Sequence, residues 1–358
     1  MIIPQRNLSI RVRMKYVCRV ACLRLAEYIC VCGRIRTSAN QVRTWAQCGC
    51  TSMIAALQSR LRIPMLFAAD VVHGDTTVFP VPLGEAASFE QELARRMARA
   101  AAREASAVGL DWTFAPMVDI ARDARRWRGV EAAGEDVQLA RLFSQPRVHG
   151  FQGGAGLAHP EAMAACHEHF AAHGAAEGGL DYNRVDVSER TLREVYFPRF
   201  QAAFAAGAVT TMAAFNELSG IPATANAWLL DGLLRQEWGY PGLVVSDFKA
   251  DQELIAHGVA ADERDAARLA FLAGVDISME SGLYLRHLPA LVAAGEVPMA
   301  GLDAAVRRML AFKAALGLFD DPFRRIRPAR AQSSQRSRET LALAREAACK
   351  SVVLLRKL

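Results

Sequence analysis

The sequence has no apolar run of the ~18 residues that a membrane span requires; Arg19, Arg24 and Glu27 interrupt the only stretch that approaches one. The same charges fit a signal peptide poorly, which leaves a cytoplasmic location as the default and no membrane partner. No Gly-rich phosphate loop follows the first strand-like run, which counts against a nucleotide fold and its cofactor. Acidic residues are nearly missing from residues 1–50, where nine Lys or Arg face only Glu27. That segment carries a formal +8, so the rest of a chain with net charge +6 carries −2. The body is not basic, and without a basic stripe interleaved with aromatics nucleic acid is not an expected partner. Cysteine is scarce outside the same segment, which holds Cys18, Cys22, Cys30, Cys32, Cys48 and Cys50 of the eight. Structural zinc sites usually place two or more residues between paired cysteines, whereas Cys30/Cys32 and Cys48/Cys50 are separated by one. Neither zinc nor a disulfide framework is expected, and residues 1–51 read as a basic, Cys-rich extension without a clean period.

What is present begins near residue 60. A chain of 358 residues with 52% hydrophobic composition can bury one large barrel or two ordinary domains. Short apolar runs, most of them ending in a polar or charged residue, alternate with amphipathic helical stretches, the pattern of repeated βα units. The runs are Ile63 to Ala69, Trp112 to Val118, Met163 to His169, Val209 to Phe215, Leu243 to Ser246 and Val275 to Met279. Ser88-Phe89-Glu90-Gln91 fits a capping box that opens a helix stopping at Gly109. Further helices are expected from near Ser188, Asp262 and Leu302. Eight such units close into a barrel of ~250 residues, so the expected fold is α/β, a (β/α)8 TIM-like barrel over residues 52–323. A doubly wound open sheet is the alternative. Residues 324–340 read as a linker, and Ser351 to Leu355 as the opening strand of a truncated second domain.

In a parallel barrel the carboxyl ends of the strands carry the chemistry, and Asp70, Asp119, His169, Asp247 and Glu280 would converge there. Asp247 ends the run Gly242-Leu243-Val244-Val245-Ser246, which reads as a strand buried on both faces, and it is the candidate reacting group. The other reading of Asp247 is a cap of the following helix. Several carboxylates and a histidine at one mouth, with no metal or nucleotide signature, suit glycoside hydrolysis, which needs two carboxyl groups flanking the bond.

Five motifs then resemble glycoside hydrolase family 3, the β-glucosidase and β-xylosidase family: Phe67 to Gly74 with Thr77 to Pro80, Phe114 to Asp119, His169 to Ala172, Met212 to Asn216, and Val244 to Asp247. The resemblance runs from about residue 52 to the end and implies a retaining hydrolase of terminal β-glycosyl residues, without cofactor or metal, acting on a small carbohydrate. By the same resemblance Asp247 matches the nucleophile and Asp70 the acceptor for distant sugar hydroxyls. Arg128 and His169 match sugar-binding donors, Phe215 an aromatic beside the nucleophile, and Glu168 stands in the sugar subsite.

The departures bear on activity. Glu168 stands where the family usually has lysine, which reverses charge and hydrogen-bond sense and should raise the pKa of Asp247. Arg125-Arg126-Trp127-Arg128 lacks a glycine of the usual loop, so strain is expected there, and Lys249 replaces a common glycine. The general acid of many members is on a second domain, so weak turnover is expected; Glu280 and Glu131 are the substitutes considered. Two rival readings stay open. One is a sugar-binding or truncated barrel without turnover. The other is an amidohydrolase-like barrel, in which His167 and His169 would point the same way and share a metal.

Overall fold

The structure is a computed structural model that describes residues 29–31 and 39–356, with side chains from residue 49 onward. The paired cysteines weighed for zinc therefore lie outside the described side chains, apart from Cys50, which is half-buried with a free thiol.

Six parallel strands form the central sheet: β1 (Ile29–Val31), β2 (Leu66–Ala69), β3 (Trp112–Thr113), β4 (Ala164–Phe170), β5 (Thr210–Ala213) and β6 (Leu243–Ser246). They lie side by side in chain order, as right-handed crossovers from each strand to the next require. Strands β2 to β6 are buried along almost every residue, which explains why their sequences read as unbroken apolar runs. The layers of helix include α1 (Ala39–Gln58), α2 (Gln91–Ala107), α3 (Val137–Gln152), α4 (Pro198–Ala205), α5 (Ala250–Ala256), α6 (Glu263–Ala273), α7 (Leu283–Ala293) and α8 (Met299–Ala315). One cluster of the core gathers around Trp112, Leu66 and Phe312, and a second around Phe170, Phe200, Leu230 and Leu288. Trp112 is fully buried, its ring meets Phe114 and Phe312 edge-on, and its indole N–H donates to Thr210 Oγ1 at 2.8 Å.

The architecture is α/β with a curled parallel sheet, and the closed eight-stranded barrel expected from the sequence is a correction. Among the described residues no pairing joins β6 back to β1. The sixth apolar run, Val275 to Met279, touches β6 through one bridge, Val245 to Ile277. Within that run the Asp276 Oδ2 accepts the Val244 N–H at 3.0 Å, so a side chain takes a donor that a ladder would use. Arg235 and Arg308 hold that carboxylate in place, at 2.8 and 2.6 Å.

Three smaller expectations change. Ser88 does not cap α2; its Oγ accepts from Glu90 N at 3.1 Å, Phe89 takes φ +56°, and the helix starts at Gln91. The stretch read as a linker carries α9 (Pro328–Ser334), is followed by α10 (Arg338–Lys350), and buries Arg324 and Arg325 against Asp111. Val352 to Leu355 lie exposed and outside any strand. Ser188 and Asp262 do cap helices, accepting from Thr191 N and Asp265 N.

Candidate active site

The carboxyl ends of the strands bring together residues more than a hundred positions apart. Asp247 follows β6 directly and is only 8% exposed. Its Oδ1 accepts the Phe248 N–H at 2.7 Å, whereas Oδ2, also buried, has no donor. The nearest ring nitrogen is His169 Nε2, at 3.4 Å. Burial pushes the Asp247 carboxyl up to about 7; the Phe248 N–H and Arg128 pull it down, and Asp70 and Asp181 push it further up. The expected direction holds, but desolvation leads, and Glu168 is not the main cause.

His169 lies fully buried in β4, and its partners fix its tautomer. A guanidinium only donates, so Nε2 accepts from Arg128 Nη2 at 3.1 Å and the proton sits on Nδ1, facing Asp119 Oδ2 at 3.3 Å. Burial first, then Arg128 and His173, keep the ring neutral. Both ring nitrogens are thus engaged within the protein. The ring orients Arg128 and accepts.

Arg128 stands on a 3-10 turn, Trp127–Glu131, where its Nε also donates to Glu131 at 3.0 Å. Burial would lower its pKa, but Glu168, Glu131 and Asp247 hold the guanidinium charged. The loop is not strained by the missing glycine: Arg126 has φ −72° and Trp127 lies inside the turn. Lys249 does take φ +57°, a conformation that favours glycine, just after Asp247 and Phe248.

Glu168 is 3% exposed, with Oε2 3.3 Å from His169 Nε2. Burial raises its carboxyl well above the ordinary range; Arg128 opposes this, and Asp70, Asp247 and Glu131 reinforce it. Asp70, at the end of β2, is exposed, and its charge reaches both Asp247 and Glu168. Phe215 packs beside this group against the rings of Tyr182 and His173, with centroids 4.6 and 6.2 Å away. Glu280 is half-buried, and the charge acting on it is that of Lys249.

Beneath lies a polar layer of which the sequence reading singled out Asp119 but not His173, Arg126 or Arg199. Asp119 is completely buried, 3.7 Å from Arg199 and 4.0 Å from Arg126; burial would raise its carboxyl, but the His169 N–H and the neighbouring His173 hold it well below the usual range. His173 Nδ1 accepts from Arg126 Nη2 at 3.0 Å, and Arg126 Nη1 donates to Asp181 at 3.1 Å. The signal was available: His173 follows His169 by four residues, and Arg126 lies within the arginine run already singled out. Asp119, His169 and His173 have ligand atoms within 4.8 Å of one another, the spacing of a metal site. Arg126, Arg128 and Arg199 occupy that neighbourhood with positive charge, so the donor set is built around guanidinium groups and does not suit a cation.

The shared metal of the His-x-His reading also fails on geometry. The register shifts between His167 and Phe170, and the His167 ring packs among Phe200, Phe204 and Tyr240, on the other side of the sheet from His169. Burial lowers its pKa to about 3, so it is a neutral core residue. A cavity of about 720 Å³ near the opposite strand ends, lined by Phe204, Tyr240 and Phe312, contains none of Asp70, Asp119, Arg128, Glu168, His169 and Asp247.

The sequence pattern described as glycosyl hydrolase family 3 N terminal domain matches residues 29–312. A periplasmic beta-glucosidase of Salmonella typhimurium is 46% identical over 301 residues, which are 83% of this chain and 39% of that protein. A putative beta-xylosidase of Formosa agariphila is 33% identical over 305 residues, 83% of this chain and 40% of its own length. Among solved structures, a beta-glucosidase of Listeria innocua in complex with isofagomine superposes with TM-score 0.84 at 43% identity, covering 87% of this chain and 44% of that one. The chain thus spans about two fifths of the length of the curated relatives it matches.

Proposed function

The chain belongs to glycosyl hydrolase family 3, and we propose that it handles terminal β-D-glucosyl or similar β-glycosyl residues as a retaining hydrolase through a covalent intermediate on Asp247. The observation that carries this reading is the carboxylate itself. Asp247 is held at the strand end by one oxygen and left without a donor on the other. A nucleophile needs an oxygen that no neighbour competes for. In the first step Oδ2 attacks the anomeric carbon, the bond from that carbon to the leaving oxygen breaks, and the leaving oxygen takes a proton from solvent. Water then displaces Asp247, returns a proton to solvent and releases the sugar.

The surrounding groups are suited to holding the sugar. Asp70 accepts from hydroxyls as an ionised carboxylate, and Arg128 is fixed by Glu131 and His169 with Nη1 outside those bonds. Phe215 provides an apolar wall. The curled sheet is read here as an incomplete (β/α)8-like barrel whose strand ends form the sugar site. A small carbohydrate is the proposed partner, consistent with the glucose and laminaribiose complexes solved for the Listeria innocua relative.

The test is covalent trapping. The chain is incubated with a 2-deoxy-2-fluoro glucoside bearing a good leaving group, then digested, and the labelled peptide is found by mass spectrometry. An activated leaving group needs little help from an acid, which is otherwise typically worth ~10²- to 10⁴-fold. Label on Asp247, lost in Asp247→Asn, is the expected result. A folded chain that takes no label would leave a sugar-binding protein without turnover.

A further inference from the structure

Resting on that reading of the site, two exposed rings narrow what the sugar is attached to. Trp127 and Tyr182 are 68% and 52% exposed, yet each touches a residue of the site. The indole of Trp127 stands against Arg128, whose guanidinium carbon lies 5.9 Å from the ring centroid, and Arg128 donates to His169 Nε2. The ring of Tyr182 packs on Phe215, Phe215 meets His173, and the His173 and His169 rings lie 4.5 Å apart. His169 Nε2 is 3.4 Å from Asp247, so both chains of contact end at the nucleophile.

The loops that carry the two rings are fixed to one another from below. A Cβ added at Gly179 would lie 2.6 Å from Arg126 N, so the two backbones meet directly. Arg126 Nη1 donates to Asp181 Oδ1 at 3.1 Å. His173 Nδ1 accepts from Arg126, which leaves the proton on Nε2 to be donated to the Asp181 carbonyl at 3.2 Å. Trp127 follows Arg126 and Tyr182 follows Asp181, so one buried clamp holds both exposed rings in place. Apolar rings held at the surface on a rigid support mark a contact site, because little ordering remains to be done when a ligand arrives.

We propose that Trp127 and Tyr182 form the platform for the leaving group, and that the chain favours β-glycosides whose aglycone is an aromatic ring. The sugar itself needs hydrogen-bonding partners, which Asp70 and Arg128 are suited to supply; the two rings add apolar faces, which suit a flat apolar group. The indole stands where the usual loop has its glycine, so this part of the platform belongs to this chain and not to the pattern it shares.

The experiment is calorimetric titration of the full chain with methyl, cyclohexyl and phenyl β-D-thioglucosides, whose sulfur linkage resists hydrolysis, so that binding is read without turnover. The phenyl compound should bind about tenfold more tightly than the methyl one, the gain of a modest aromatic contact, with the cyclohexyl compound weaker than phenyl. The phenyl-to-methyl ratio should fall partway in Trp127→Gly and in Tyr182→Ala and approach one when they are combined, with folding checked by thermal melting. If methyl thioglucoside binds and phenyl binds no better, the inference fails and the sugar site stands. Equal binding of cyclohexyl and phenyl would overturn the aromatic preference. A preference that survives the combined variant would assign the contact to another exposed ring, such as Phe248, and remove these two. A native chain that self-associates through Trp127, shown by its loss in Trp127→Gly, would make the rim a contact between copies and overturn the platform. Binding of no sugar at all by a folded native chain would overturn the proposed function together with this inference. If one variant fails to fold, the other and the native comparison decide.

Discussion

Asp247 could be picked out of the sequence because an acid at the end of an unbroken apolar run has few structural reasons to be there. Its titration could not, since the strongest influence is burial, and burial depends on how the strand ends pack. With its carboxyl pushed up to about 7, the nucleophile is mostly protonated below that pH and ionised above it. The labelling rate of the trapping reaction should therefore climb about tenfold per pH unit below ~7 and level off above it. Neighbours shift the midpoint in opposite directions. Asp70→Asn removes a negative charge and should lower it, whereas Arg128→Gln removes the opposing cation and should raise it. The measurement is the midpoint and not the height of the profile, so weaker sugar binding in either variant does not disturb it. A midpoint that stays fixed in both variants would mean that these charges do not reach Asp247.

At the scale of elements, the strands were legible and the loops behind the site were not. Apolar runs gave β2, β4, β5 and β6 to within a few residues, because strands covered on both faces leave a continuous signature. The layer of Asp119, Arg126, His173 and Arg199 comes from a strand end, an irregular loop, a second loop and a helix, and no period connects them. Gly174 shows how tightly those loops meet. A Cβ added there would lie 1.9 Å from the Ile120 carbonyl oxygen, a backbone atom that cannot rotate away. Since Gly174 follows His173 and Ile120 follows Asp119, the methyl group would force apart the two loops that join those residues. Gly174→Ala should cost about 1–3 kcal/mol or more, the usual range for overpacking. Gly154→Ala, with nothing within 4 Å, should stay within about 0.5 kcal/mol of the native chain. Urea denaturation of both variants reads the difference, and equal midpoints would show that the loops yield at little cost.

Over the whole molecule, the least legible feature was the fate of residues 324–340, whose Arg, Ser and Gln content reads as solvated linker. Composition misleads here because the arginines are not solvated. Asp111, at the start of β3 and 2% exposed, accepts from Phe67 N at 3.1 Å through Oδ2 and from Arg324 and Arg325 at 3.2 and 2.5 Å through Oδ1. Arg325 continues to the carbonyls of Leu157 and His159, at 2.7 and 3.3 Å. One carboxylate thus ties β2, β3, the loop before β4 and the segment leading to α9, over more than two hundred residues of sequence. Asp111→Ala would leave two guanidinium groups buried without a counter-charge. Breaking a buried pair in this way typically costs about 3–5 kcal/mol, a large fraction of the 5–15 kcal/mol that holds a typical protein folded. Replacing the set is a different matter, since apolar residues of similar volume need no counter-charge: Asp111→Leu combined with Arg324→Met and Arg325→Met should recover much of the loss. Chemical denaturation of the native chain, the single variant and the combined variant separates the two cases. If the single variant unfolds at the native midpoint, the contact is an ornament of the surface; if it unfolds early and the combined variant does not, residues 324–350 are an integral part of the fold that positions Asp247.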